Sequence, residues 1–372
     1  MGDILPEPVP QAPISELLTV VITTSPTPSA PTTDLISSVL QSFDTHCPGL
    51  LSCRIIVVFD TFDRIGPKNR LKKGTVTEEG ARIFEEYKSN VKQLILRIHP
   101  STSSSPPASI PLTTTHDKAE YGLHEQPIYH VPFTTTSTPD RTITFIEPTQ
   151  RLGFGLGVRT ALRTARTPYV WIHQHDWTLI SPIPLPALLR VLSQSTPSVP
   201  VQYICFPSVR MLRYAVSDHV THFPALRALT NRYKRTFTFP SSFSSSSDDE
   251  QVPLTPLFFW HDKPHLAARE HYLDRIFPSR LAIGRGEFIE DRVGQRARDQ
   301  MKQGIWERWA CWLYYPDDGR ELVVRHLNGR IWRGQEEEER RREWRAGREG
   351  EEEEEEPERD GEVEEREDGG DE

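Results

Sequence analysis

The residues best equipped for chemistry lie where apolar runs end. In PYVWIHQHDWTLI, residues 168–180, a run fit for a buried strand (169–172) leads directly into His173, Gln174, His175 and Asp176. A carboxylate flanked by imidazoles at a strand end can hold a divalent cation, and a hard cation there can grip a diphosphate. The bland alternative is that Asp176 caps the next turn. If the strand persists, alternation points His173 and His175 one way and Gln174 and Asp176 the other, so all four cannot share one ion.

Four more stretches carry candidate groups. FIEDRVGQ (288–295) sets Glu290 and Asp291 at a helix start, where they serve either as a general base or as carboxylates favoured by the helix dipole. FFWHDKPHLA (258–267) mixes Trp260, His261, Asp262 and His265, a set that suits a sugar face or a packed turn before a helix. VVRHLNGR (323–330) ends a strand in His326, a metal ligand from a second strand or a structural histidine. The glycines of RLGFGLGVR (151–159) form neither a P-loop nor a dinucleotide fingerprint, but Arg159 on the following helix can reach a phosphate.

Alternating strands and helices must position these groups. LLTVVITT (17–24) reads as a strand, DLISSVLQSF (34–43) as a helix with Leu35, Ile36, Val39, Leu40 and Phe43 on one face, and CRIIVVFD (53–60) as a second strand ending in Asp60. Thr75 and Glu78 have capping-box spacing before a helix carrying Ile83, Phe84, Tyr87 and Val91. QLILRI (93–98), TITFIE (142–147), VQYICFP (201–207) and ELVVRHL (321–327) read as further strands. Helices are expected over 154–165, 266–277 and 290–303. The alternation predicts an α/β fold, an open mixed sheet of Rossmann-like type with helices on both faces, whose ligands bind beyond the carboxyl ends of the strands.

Composition sets the limits. The 372 residues, 36% of them apolar, suffice for a sizeable core. The chain's charge of −9 is misleading: residues 336–372 hold 21 acidic and 7 basic residues, so the remainder is mildly basic at +5. That suits a phosphate-bearing ligand and is too little to indicate nucleic acid. Cys47, Cys53, Cys205 and Cys311 form no CxxC pair, and no apolar stretch is long enough to span a membrane, so a cytoplasmic protein is expected. A Pro-rich N-terminus (1–16), a single domain (17–333) with low-complexity insertions near 101–115 and 241–249, and a disordered acidic tail (334–372) complete the expected organisation.

The order of these signals resembles the nucleotide-diphospho-sugar transferases of the A-type glycosyltransferase (GT-A) fold, the family-two-like members in particular. In that family the first strand leads into a loop at the nucleotide, here VVITTSPTPS with Thr23 and Thr24, and a second strand ends in an aspartate that meets the base, here Asp60. An Arg-bearing helix precedes the strand with the metal motif, which resembles GVRTALRTARTPYVWIHQHDW with Arg159; the usual Asp-x-Asp is replaced by Gln174-His175-Asp176. The family's Glu-Asp pair corresponds to Glu290 and Asp291, its later metal-binding histidine to His326. The resemblance implies sugar transfer from a nucleotide-sugar donor to an acceptor hydroxyl, with Asp291 as base and Mn²⁺ or Mg²⁺ on Asp176 and His326. Trp260, His261 and Asp262 are the expected acceptor-side residues. Two rival readings are a binuclear zinc hydrolase built on HQHD, with His261, His265 and His271 supplying a second site, and a catalytically silent nucleotide-sugar-binding module of the same fold.

Overall fold

The computed structural model describes residues 12–122, 127–239, 250–332, 334, 336–337 and 339–340. Chain contacts divide it into two compact units, Met1–Trp332 and Arg333–Glu372. Of the second unit, four described residues are helical, with an ion pair between Arg340 and Glu337. The rest of the acidic tail and the insertion at 241–249 lie outside the described residues.

The first unit is built on a mixed sheet. Its strands, with four short ones that pair apart from it, are β1 (Leu18–Thr24), β2 (Arg54–Phe59), β3 (Arg64–Ile65), β4 (Thr75–Val76) and β5 (Thr113–Tyr121). Next come β6 (Tyr129–Ser137), β7 (Ile143–Pro148), β8 (Tyr169–Gln174), β9 (Trp177–Leu179) and β10 (Tyr203–Cys205). The last are β11 (Arg235–Phe239), β12 (Glu250–Pro256), β13 (His265–Ala268), β14 (Cys311–Tyr314) and β15 (Val324–His326). Eleven of them form one sheet in the order β11-β12-β14-β10-β13-β8-β1-β2-β7-β6-β5. Its centre, β8-β1-β2-β7, is parallel, and these strands are the apolar runs expected of strands buried on both faces.

Register shows why helices cover both faces. Val20 pairs with Ile55 and with Trp171, so the three side chains share a face, where Leu40 and Phe43 of the Asp34–His46 helix meet them. Val58 is out of phase with Ile55 and lies instead under Gly157 of the Phe154–Thr164 helix. Strand order reverses at β1, since β2 follows it on one side and the parallel β8 joins it on the other. The carboxyl ends of these two strands therefore open a crevice of the kind where open α/β sheets bind ligands.

Several local expectations are corrected. QLILRI is not a strand but the last two turns of the Glu78–Ile98 helix, because Ile95 and Leu96 continue the buried stripe of Phe84, Tyr87 and Val91. That helix is capped by Thr77, whose hydroxyl accepts from the Gly80 amide, and not by Thr75. The region 266–277 begins as strand β13 and turns helical only from Arg269. Thr113–Thr115, at the end of the expected insertion, opens the polar edge strand β5. Strand β8 stops at Gln174, so strict alternation does not extend to Asp176.

All four cysteines are buried and free. No helix among the described residues is long and apolar enough to cross a membrane.

Candidate functional site

A cleft opens at the carboxyl ends of β1, β2 and β8, the position where open α/β sheets bind ligands. Its wall includes Thr23, Thr24, Asp60, Arg151, His175, Asp176 and Arg330. A second cleft adjoins it, lined by Asp262, Lys263, Glu290 and His326 among others. Gln174, Asp176, Phe288, Gly329 and Arg330 belong to both walls.

Non-local pairing builds the junction. After β8 the chain turns at His175-Asp176 into β9, and β15 pairs antiparallel with β9 so that His326 lies opposite Trp177. The Leu327 amide donates to the Asp176 carbonyl at 2.7 Å and the Gly329 amide to its Oδ2 at 3.2 Å. His326 Nε2 stands 3.1 Å from the same Oδ2, and its Nδ1 2.8 Å from Asn328 Oδ1. Burial opposes charge on Asp176, yet the His326 hydrogen bond and the nearby imidazoles outweigh it and hold the carboxyl down at about 2. Burial likewise works against the imidazolium of His326, and Asp176 raises it above the usual histidine value.

The other histidines of the opening motif are structural. His173 is buried, accepts from Trp171 Nε1 at 3.2 Å and donates from Nε2 to the Trp177 carbonyl at 2.8 Å; burial pushes its pKa down to about 4. His175 is fixed through Nδ1 to the Ser25 amide at 3.2 Å and Thr24 Oγ1 at 2.8 Å, and burial also lowers its pKa. Among the described residues no group of three or more His, Cys, Asp or Glu side chains is placed to hold a metal, so HQHD does not assemble a binuclear centre. The Asp176–His326 pair fits a divalent cation once the ion displaces the His326 Nε2 proton that faces Asp176. Two donors about 3 Å apart match neighbouring positions on an octahedral ion with bonds of about 2.0–2.1 Å, the remaining positions falling to ligand oxygens and water.

On the far side of the first cleft, Asp60 accepts from the Leu152 and Gly153 amides at 2.6 and 3.1 Å, with Arg151 Nε 3.9 Å away. Burial exceeds these favourable contacts and pushes its carboxyl up to about 6. Gly153 sits at φ +80°, and a Cβ there would meet the Gly286 backbone at 2.4 Å. The glycines of 153–157 thus serve close packing of backbone on backbone and of helix on sheet.

Strand β13 runs antiparallel to β8, so the loop before it arrives where β8 ends, and Gln174 Nε2 donates to the Asp262 carbonyl at 2.9 Å. Asp262 and Glu290 are reciprocally tied: the Glu290 amide donates to Asp262 Oδ2 at 3.2 Å and the Asp262 amide to Glu290 Oε2 at 3.3 Å. His261 Nδ1 lies 3.6 Å from Glu290 Oε2. Burial opposes the Glu290 charge, but His261 and the Asp262 amide outweigh it and lower its pKa, so it is ionised at neutral pH.

Three expected site residues stand elsewhere. Asp291 is exposed and absent from the cleft walls described above, because consecutive helical residues point about 100° apart and Glu290 takes the inward direction. Trp260 is fully buried against Tyr203, 4.3 Å between ring centroids, and belongs to the core. Arg159 is also buried and donates to the Glu120 carbonyl at 2.8 Å, which draws it toward β5 and away from the cleft. In their stead the cleft carries Arg151, Arg330 and Lys263, which the sequence reading did not single out. The signal for Arg330 was its place four residues beyond His326 in VVRHLNGR.

The site and sheet define an open α/β protein with a two-part cleft at the strand carboxyl ends. No family model and no curated protein matches the chain. Similar solved structures include S. aureus TarS 1–349, at 9% identity and TM-score 0.36, covering 83% of this chain and 59% of that one. The mannosyltransferase PcManGT from Pyrobaculum calidifontis, in complex with GDP-Man and Mn²⁺, has 14% identity and TM-score 0.35, covering 82% and 58%. Glucosyl-3-phosphoglycerate synthase from Mycobacterium tuberculosis, in complex with Mn²⁺, UDP and phosphoglyceric acid, has 13% identity and TM-score 0.27, covering 70% and 58%. The chain spans less than two thirds of the length of each.

Proposed function

We propose that the protein is a glycosyltransferase that moves a sugar from a nucleotide-diphosphate sugar to an acceptor hydroxyl. The observation that carries this reading is the wall shared by the two clefts, with cations in the first and an ionised carboxylate, Glu290, in the second. Transfer between two substrates needs each held in its own recess with the reacting atoms meeting at the junction.

In this reading Thr23, Thr24 and Asp60 take the nucleoside, and Arg151 and Arg330 the diphosphate. Asp176 and His326 would hold a divalent cation, Mn²⁺ in preference to Mg²⁺ because one donor is imidazole. Such an ion, when bound, supplies Lewis-acid stabilisation of charge on the leaving group. Glu290 accepts the proton of the acceptor hydroxyl as its oxygen bonds to the anomeric carbon. The bond from that carbon to the phosphate oxygen breaks, its electron pair leaves with the nucleoside diphosphate, and Arg330 meets the charge. Gln174 and Phe288 position both substrates at the shared wall.

A thermal-shift panel of UDP-GlcNAc, UDP-glucose and GDP-mannose, each with and without Mn²⁺, tests this on wild type and Asp176→Ala. A ligand at about 100 times its Kd adds roughly 2.7 kcal/mol of stability. Metal-dependent stabilisation that is lost in the variant supports the reading; no response to any nucleotide sugar overturns it. Binding without turnover would identify the silent module.

A further inference from the structure

Among the described residues nothing hydrogen-bonds to two polar groups on the wall of the second cleft, Lys263 Nζ and Asp262 Oδ1. Lys263 lies on its wall and is half-buried, and burial draws its ammonium below the usual lysine value. Among the described residues no carboxylate comes within ion-pair distance of its Nζ and no hydrogen bond engages it. Lys88 and Lys92, also half-buried, both pair with Glu147. The loop bearing Lys263 is fixed, since His265 Nδ1 donates to the Lys263 carbonyl at 2.6 Å.

Asp262, its neighbour on the same wall, is buried beside Glu290. Only 3% of the residue is exposed and its Oδ1 has no partner, while Oδ2 is taken by the Glu290 amide. Burial together with the Glu290 charge pushes this carboxyl well above the usual range, against the pull of the Glu290 and Ile289 amides. An ammonium with no ion-pair or hydrogen-bond partner among the described residues thus shares this wall with Glu290, the carboxylate placed to accept the acceptor's proton. Beyond the charge of nearby Glu290, a neutral sugar would leave the ammonium without an ion-pair partner in a partly desolvated recess, whereas an anion answers it with a charge-assisted hydrogen bond.

We propose, on the basis of the glycosyltransferase reading, that the acceptor carries a phosphate or carboxylate beside the hydroxyl that Glu290 deprotonates, and that Lys263 binds this anionic group. Glycerol, D-glycerate and glycerol 3-phosphate are minimal probes: the same hydroxylated carbon skeleton without an anion, with a carboxylate and with a phosphate.

The experiment is calorimetric titration of the three probes into full-length protein whose first cleft is already filled with saturating nucleoside diphosphate and Mn²⁺. Wild type, Lys263→Gln and Lys263→Arg are compared, and nucleotide binding is measured first on each. The expected result is that glycerate or glycerol 3-phosphate binds at least tenfold tighter than glycerol. That preference disappears in Lys263→Gln and is largely kept in Lys263→Arg, while nucleotide affinity is the same in all three. The tighter of the two anions identifies the acceptor's charged group. If neither anion binds better than glycerol, or if Lys263→Gln keeps the preference, the acceptor assignment is overturned. Failure of the nucleotide step instead removes the transferase reading itself, so the two failures are distinguishable.

Discussion

His326 and Asp176, 150 residues apart in sequence, meet with Nε2 3.1 Å from Oδ2, while the other ring nitrogen of His326 faces the side chain of Asn328. Both ring nitrogens therefore have acceptors, which is the environment of an imidazolium. The two pKa shifts set a window. Asp176, lowered to about 2, contributes stability that is present above its unfolded value near 4 and is lost as pH falls through 2. His326, raised above 6.5, contributes stability that is full below 6.5 and is lost as pH rises through its folded value. The pair is thus most stabilising between about pH 4 and 6.5. Thermal melts across pH 2–9 should show His326→Ala lowering Tm most in that window, with the difference narrowing on both sides. From Asp176 the acid limb amounts to about 2 kcal/mol. A difference independent of pH would mean that the two groups do not share a proton-linked contact.

Glu290 and Asp291 differ in address by one residue and in surroundings entirely. Glu290→Gln should lower the transfer rate by about 10²–10⁴-fold, the range for loss of a general base, with nucleotide-sugar affinity unchanged. Asp291→Asn should stay within about twofold of wild type. The converse result, measured as kcat at saturating donor, would place the base on Asp291 and require the helix to present its other side.

This pair also shows what a sequence can disclose. The parallel centre of the sheet was legible because its apolar, β-branched runs are local, and so was the strand end that carries Asp176. QLILRI was misread because six apolar-rich residues look the same in a strand and on a buried helix face; only the continuation of the Phe84-Tyr87-Val91 stripe separates the two. The β5–β6 hairpin escaped notice because an edge strand such as TTTHDKAEY is polar and largely exposed. Arg151, Arg330 and Lys263 reach the clefts through contacts with Asp60, through the β9–β15 pair and through the β8–β13 pair, which link residues tens to hundreds of positions apart. No local spacing encodes such pairings.

Gly329 presses on the same junction. A Cβ there would lie 2.9 Å from His175 Nε2 and from Asp176 Cβ, closer than side chains tolerate, and neither neighbour is a flexible chain end. Gly329→Ala should therefore cost about 1–3 kcal/mol as overpacking and shift the 326–330 turn off Asp176. Isothermal titration with Mn²⁺ should show weakened binding while the far-ultraviolet spectrum stays native. Unchanged metal affinity would mean that the turn relaxes without moving His326.

Asp60 is the last residue whose role can be separated by experiment. Its two oxygens hold two consecutive amides, and an asparagine has only one acceptor oxygen to offer, so Asp60→Asn leaves one buried donor facing an NH₂ group. The expected cost is about 1–3 kcal/mol. The pH dependence has the opposite sign to that of Asp176. With a carboxyl pushed up to about 6, the folded protein holds the proton more tightly than the unfolded chain. This contribution is therefore full below pH 4 and lost as pH rises through 6. Denaturant melts at pH 4 and pH 7 should show Asp60→Asn more destabilising at the lower pH, because there the wild type keeps a contribution that the variant lacks. A larger loss at pH 7 would show that the Leu152 and Gly153 amides favour the carboxylate more strongly than burial disfavours it, and that Asp60 meets a nucleoside as an anion.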